Sequence, residues 1–210
     1  MNMIELSNIT KSFGEKTLFH QFSCTIKDGE FLGIKGISGS GKSTLLNIIG
    51  LLEKCDSGQI IIDGEKIDYK NKKQIKRLLR KKIGYLFQNF ALIDDFSVLE
   101  NLSIGLPEKS KKDKINRIKS VLHDLNMDID IEKEVFKLSG GEQQRIAIAR
   151  VILQNKSIIL ADEPTASVDP ENRDIILNIL KQLNQAGKTI VLVSHDAYVI
   201  GQTNRVIQLS

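Results

Sequence analysis

The chain has 210 residues, 41% of them hydrophobic and 27% charged, with a net charge of +4 and two cysteines. Those values suit one sizeable globular domain with a buried core, and they exclude a disordered or disulfide-stapled chain. The positive excess falls short of the footprint of a nucleic-acid binder, so no nucleic-acid partner is expected.

Cys24 and Cys55 lie far apart without metal-ligand spacing and read as structural thiols of a reducing compartment. The N-terminus has no basic segment followed by an apolar run, so no secretory signal is expected. The richest apolar stretch, LLNIIGLL at 45–52, is interrupted by Asn47 and Gly50 and is too short to cross a bilayer.

In chain order, MIELSNITKSFG and TLFHQFSCTIKDGE predict short strands, punctuated by Gly14 and by Asp28-Gly29. EFLGIKG predicts a compact strand, KSTLLNIIGLL a helix, and SGQIIIDGEKI another strand that turns at Asp63-Gly64. Much of the positive charge sits in KNKKQIKRLLRKK (70–82). There Ile75, Leu78, Leu79 and Ile83 recur at roughly helical spacing, which favours a solvated helix face over a lipid or nucleic-acid contact. From about Asn89 to Gln154 the pattern turns helical. DKINRIKSVLHDLNM (113–127) places Ile115, Ile118, Leu122 and Leu125 on one face, and EQQRIAIARVILQ (142–154) is apolar over much of its surface, as a buried helix is. SIILADE and KTIVLVSHD are nearly continuous apolar runs suited to central parallel strands. Between them PENRDIILNILKQLNQAG is an amphipathic helix, with Pro170 near its start and Gly187 just past its end. Strand, helix and strand in that order imply an α/β core.

GISGSGKS, comprising Gly36, Ile37, Ser38, Gly39, Ser40, Gly41, Lys42 and Ser43, matches the phosphate-loop pattern in full, after an apolar strand and before an apolar helix. Its glycines let backbone N–H groups point at phosphate oxygens, and the helix start adds the positive end of its dipole. The motif assigns Lys42 to the β- and γ-phosphates of a nucleotide and the Ser43 hydroxyl to Mg²⁺, with Thr44 adding an α-phosphate contact. SIILADEP delivers Asp162 and Glu163 to the carboxyl end of a strand, where open α/β sheets place ligands. Asp162 is read as holding Mg²⁺ through a water, and Glu163 as orienting or deprotonating the attacking water. His195 ends another apolar strand and, by the same rule, is expected near the γ-phosphate.

A second glycine turn stands in LSGGEQQR (138–145). Ser139 and Glu142 form a capping box, and Gly140 and Gly141 bare the backbone N–H groups of the helix start as an anion site. Whose phosphate it holds is open on the residues alone.

The order of phosphate loop, glutamine, LSGGE, ILADE, SVD and SH resembles the nucleotide-binding subunit of ABC transporters, over essentially the whole chain. The resemblance implies a P-loop NTPase core of mainly parallel sheet, an N-terminal antiparallel β subdomain and an inserted α-helical subdomain. That is one ABC ATPase domain, 1–210, with 1–88 and 155–210 as the core and 89–154 as the helical part. It implies a homodimer that sandwiches two ATP, each between one copy's phosphate loop and the other copy's Ser139, Gly140 and Gly141. Gln88, in GYLFQNF, resembles the glutamine that touches Mg²⁺ and the attacking water. Asp169, in SVD, resembles the loop aspartate that crosses the dimer interface, and it also suits an N-cap before Pro170. Phe13, in KSFG, stands where an aromatic ring stacks on adenine, although tyrosine is more usual there; LSGGE is likewise a variant of LSGGQ.

GYLFQNFALIDDFSVLENL resembles the branch that energises macrolide exporters, lipoprotein-release complexes and bacteriocin or antimicrobial-peptide exporters. Export of a peptide, bacteriocin or other amphipathic cargo is therefore expected. The expected partner is a separate transmembrane permease subunit, with the chain peripheral on the inner face of the membrane and without a C-terminal regulatory domain. Two other readings share some of these features. They are a soluble ABC-type ATPase outside transport and a small-molecule P-loop kinase, which would not require LSGGEQQR.

Overall fold

Two sheets and seven α-helices make up the computed structural model, which describes residues 2–106, 110–166 and 168–209. Ser167, the first residue of the SVD stretch, lies outside the described residues. Strands β1 (Asn2–Phe13) and β2 (Lys16–Lys27) form an antiparallel hairpin through Gly14, whose φ of 57° suits the turn. They are continuous 12-residue strands rather than the short segments expected. Register shifts let the pairing continue past Asn8 and Gln21, which sit in the left-handed region. On its other edge β1 pairs with β4 (Ser57–Ile62), and β4 with the short β5 (Glu65–Lys66). Asp63 and Gly64, both at positive φ, make the two-residue turn between them.

The second sheet is parallel throughout, in the order β6 (Ile83–Leu86), β7 (Ile158–Asp162), β8 (Thr189–Val193), β3 (Phe31–Gly36), β9 (Arg205–Leu209). Every residue of β8 is buried, as its unbroken TIVLV demands. Helix α1 (Lys42–Ile49) follows β3, and α6 (Pro170–Gln185) joins β7 to β8. Helix α1 ends earlier than its apolar run suggests. At Gly50 the ring of Tyr85 occupies the space a Cβ would need, and the Tyr85 hydroxyl donates to Leu46 O at 3.2 Å. The basic helix α2 (Lys72–Lys81) stops before Ile83, which the spacing had placed on its face. Ile83 instead opens β6 opposite Ile158, because parallel pairing and burial outweigh the local period.

The middle of the chain carries α3 (Val98–Ser103), α4 (Lys111–Asp124), a 3₁₀ turn at Val135–Lys137 and α5 (Gly140–Gln154). Helix α5 explains its own composition. Ala147, Ile148 and Val151 pack with α6 and one face of the parallel sheet, while Ile146, Ala149 and Leu153 pack with α3 and α4. A helix serving two cores must be apolar nearly all round. The antiparallel sheet and α1 cover the opposite face of the parallel sheet. The short α7 (Ala197–Ile200) leads to β9.

Candidate functional site

The carboxyl ends of β3, β7 and β8 lie side by side, since β8 separates β7 from β3 in the sheet. A chain folded this way brings residues 36–44, 162–163 and 195 to one edge, whatever their separation in sequence.

The loop after β3 is tight for two different reasons. Gly39 and Gly41 have φ values of 76° and 92°, which disfavour side chains. Gly36 has no such backbone, but a Cβ there would lie 2.5 Å from Ser40 Oγ and 2.7 Å from Leu209 O. Lys42 Nζ donates to Gly36 O at 3.0 Å and Ile37 O at 2.9 Å, so its ammonium is folded over the loop it belongs to. Ser40 Oγ is buried without a partner, while Ile37 is 73% exposed. A cleft of about 420 Å³ opens above the loop, lined among others by Phe13, Ser38, Gly39, Gly41, Lys42, Ser43, Thr44, Gln88, Glu163 and His195. Larger grooves of about 760 and 790 Å³ lie against α3 and α4, without the phosphate-binding loop or Glu163. Convergence of chemistry, not size, marks the smaller one.

Ser43 Oγ donates to Asp162 Oδ1 at 3.1 Å, joining the first turn of α1 to the end of β7. Burial pushes the Asp162 carboxyl up from its ordinary value, and the Ser43 hydrogen bond partly opposes this. A hydroxyl and a carboxylate are hard oxygen donors suited to Mg²⁺, which uses one or two protein ligands and leaves other positions to water and phosphate. No group of three or more potential His, Cys, Asp or Glu ligands occurs among the described residues.

Glu163 has a φ of 46°, a left-handed backbone that a non-glycine residue adopts at a cost of roughly 1 kcal/mol or more. Its carboxylate is aimed by three contacts. Oε1 accepts from His195 N at 3.0 Å and lies 2.8 Å from His195 Nδ1, while Oε2 accepts from Ser194 Oγ at 3.1 Å. Gln88 sits in an exposed turn just past β6. The Phe13 ring is 51% exposed, and Lys11 Nζ stands 4.7 Å from its centroid. Lys11 is itself fixed by Glu53 Oε1 at 2.5 Å and Lys54 O at 2.9 Å.

The second glycine turn is not part of this cleft. Ser139 caps α5 with both halves of the box present, accepting from Glu142 N at 3.3 Å while its own N–H donates to Glu142 Oε2 at 2.8 Å. Its two glycines differ. A Cβ on Gly141 would lie 3.1 Å from Asn172 Nδ2, whereas one on Gly140 meets nothing within 4 Å. The chain's own packing therefore accounts for Gly141 and leaves Gly140 unexplained. Asp169 caps α6 before Pro170, its Oδ1 accepting from Asn172 N at 2.9 Å.

Several residues around the site escaped the motifs. Ser194 could have been suspected from its place beside His195. Lys16, whose Nζ donates to Gly39 O at 3.2 Å, carries no sequence signal, because the β hairpin brings it to the loop. Arg150 donates to Phe90 O at 2.8 Å and Ala91 O at 2.6 Å and so holds the segment after Gln88. Its sign was a cation within the apolar stretch IAIARVIL of α5.

A parallel sheet with a phosphate loop, a hydroxyl–carboxylate pair and an oriented glutamate at one edge defines a nucleotide-phosphate site of the P-loop class. Comparison with known sequences narrows this. Residues 19–166 match the family described as "ABC transporter", and the chain belongs to that family. It is 41% identical over 99% of its length to the macrolide export ATP-binding/permease protein MacB of Campylobacter jejuni, and spans 33% of that protein. It is 35% identical over 99% of its length to the lipoprotein-releasing system ATP-binding protein LolD of Aquifex aeolicus, covering 93% of it. It therefore matches nucleotide-binding domains of the macrolide-export and lipoprotein-release branch. Among solved structures, a dimeric form of the cassette MJ0796 of Methanocaldococcus jannaschii superposes with a TM-score of 0.90, at 39% identity over 99% of this chain and 94% of that one. A post-hydrolysis state of MJ0796 bound to ADP and Pi superposes with a TM-score of 0.91 at 38% identity. No helix among the described residues is long and apolar enough to cross a membrane.

Proposed function

We propose that the chain binds and hydrolyses ATP as the motor domain of a bacterial ABC transporter, with two copies closing head to tail around two ATP. The observation that carries this is the split site. The cleft is lined by a phosphate loop, by Ser43, which bonds Asp162, and by an aimed glutamate, while a second glycine-bared helix start lies outside it with open space over Gly140. An isologous pair would place each turn over the other copy's cleft. The relative MJ0796, solved as a dimer and as a dimeric post-hydrolysis state with ADP and Pi, supports a two-copy reading.

In this reading the backbone of residues 36–41 cradles the phosphates, and Phe13 stacks on adenine. Lys42 exchanges its two carbonyl partners for phosphate oxygens, a charge-assisted bond stronger than those it leaves. Mg²⁺, when bound by Ser43, Gln88 and, through water, Asp162, supplies charge neutralisation on the transferring group. Glu163 accepts a hydrogen bond from a water placed in line with the γ-phosphate and orients it or takes its proton as the water attacks, the two carboxylate oxygens kept in register by His195 and Ser194. His195, Lys42 and the other copy's Ser139, Gly140 and Gly141 stabilise the charge that develops. Asp169 meets the opposite copy near the interface.

The names of the relatives support an amphipathic cargo, and a peptide or bacteriocin is the narrower form of that proposal. The permease partner is expected to dock near Gln88 and residues 89–154, which places the chain at the inner face of the membrane. The test is Glu163→Gln followed by light scattering with and without Mg-ATP. An ATP-dependent dimer that Ser139→Trp abolishes supports the reading. A Glu163→Gln dimer whose mass Ser139→Trp leaves unchanged, with turnover also unchanged when Ser139→Trp is made in the chain that keeps Glu163, refutes the role of the second turn.

A further inference from the structure

The second glycine turn and the loop bearing Asp169 meet at one side chain that belongs to neither motif. Asn172, in the first turn of α6, accepts from Arg145 Nη1 on α5 through Oδ1 at 3.0 Å. Through Nδ2 it donates to Asp169 Oδ2 at 2.7 Å, and its backbone N–H donates to the other Asp169 oxygen at 2.9 Å. The orientation of this amide is dictated by its neighbours, because a guanidinium only donates and a carboxylate only accepts. A steric contact adds to the bonds, since Gly141 approaches Asn172 so closely that a Cβ would be 3.1 Å from Nδ2.

The start of α5 is joined to this network by the contact of Gly141 with Asn172. There the Ser139 N–H and hydroxyl hold the Glu142 carboxyl below its ordinary range, with the charges of Lys133 and then Arg145 adding to this. Arg145 Nε is buried without a hydrogen-bond partner, whereas Nη1 finds one in Asn172.

We propose that Asn172 is a positioning residue that ties the start of α5 to Asp169, so that occupation of Ser139 and Gly140 by a phosphate sets where Asp169 is presented. The proposal rests on the two-copy reading above for its consequence, but the linkage itself is a property of one chain. The physical warrant is a contiguous pair of hydrogen bonds, one of them to a guanidinium and the other to a carboxylate. An ordinary helix cap would need Asp169 and the Asn172 N–H alone.

The test separates the linkage from the dimer. Arg145→Met touches only the side chain of Asn172, yet it should speed amide hydrogen exchange at the Asn172 N–H by about threefold to tenfold in the nucleotide-free chain. Unchanged exchange there would overturn the linkage. In a Glu163→Gln background, Asn172→Leu and Arg145→Met should each raise the Mg-ATP concentration needed for dimer by about tenfold, with the double variant no worse than the more severe single. Asn172→Asp discriminates a filler from a relay. It keeps the shape against Gly141 and the acceptor for Arg145 but replaces the donor to Asp169 with a second carboxylate. A relay predicts that it fails like leucine, and a filler predicts wild-type behaviour. If the parent Glu163→Gln protein forms no ATP-dependent dimer at all, the two-copy reading fails, while the exchange experiment still decides the linkage.

Discussion

Replacing Gly140 by alanine should make the isolated chain more stable and its ATPase activity much lower. Gly140 is the first residue of α5, its φ is not positive, and a Cβ on it would meet no atom within 4 Å. Nothing in the chain therefore resists the substitution. Alanine is favoured over glycine by about 1 kcal/mol in a helix interior, so about half of that is reasonable in the first turn. For a chain of this size the gain corresponds to a rise in melting temperature of about 1–2 °C. In the proposed two-copy arrangement the same methyl would project from the face that has to stay bare, so that reading predicts a fall in phosphate release of at least tenfold. The measurements are thermal unfolding without nucleotide and steady-state release of inorganic phosphate. A raised melting temperature with activity within twofold of the parent would show that the open space over Gly140 takes no part in the reaction. A lowered melting temperature would refute the packing argument itself. Gly141→Ala is the internal contrast. Its methyl is forced against Asn172, so it should gain no stability.

Three further substitutions probe the cleft and its supports. Phe13→Ala should weaken ATP binding by roughly twofold to tenfold, the range expected for loss of one stacking contact, while leaving inorganic tripolyphosphate binding unchanged; equal losses for both ligands would place the ring elsewhere than against the base. Burial raises the Asp162 carboxyl above its ordinary value, so the folded chain holds this proton more tightly than the unfolded one. Its contribution to stability must then fall as pH rises through the range just above the ordinary aspartate value, about 4. Asp162→Asn should remove that fall in urea titrations and stabilise the metal-free chain at neutral pH, while Mg²⁺-dependent phosphate release is lost; an unaltered pH profile would contradict the assignment. Arg150→Met deletes two hydrogen bonds to Phe90 O and Ala91 O, both on residues with positive φ. It should cost about 2–3 kcal/mol in urea unfolding and speed exchange in the segment after Gln88, and a cost below 0.5 kcal/mol would show that the segment holds itself.

Local chemistry was legible in the sequence where a motif packs its meaning into a few neighbouring residues. The phosphate loop, the Ser139–Glu142 box and the Asp169-Pro170 helix start all form as their residues demand, since each depends on bonds spanning only a few positions. The unbroken apolar runs at 158–161 and 190–193 likewise announced central parallel strands. Ile83 shows the limit of periodicity. Its spacing fits a helix, but pairing with Ile158 draws it into the sheet, and that partner is invisible to any local window. The same holds for every contact that crosses between elements. Tyr85 ending α1, Lys16 reaching the phosphate loop, Arg150 bracing the segment after Gln88 and Asn172 joining Arg145 to Asp169 all link residues remote in sequence. The two glycines of LSGGEQQR show the division most clearly. Their identical letters announce a bared helix start, but only the packing of α6 against α5 decides that Gly141 is filled from within and Gly140 faces open space. That distinction depends on what lies within 4 Å of an absent methyl, a property of the folded chain rather than of its neighbours in sequence.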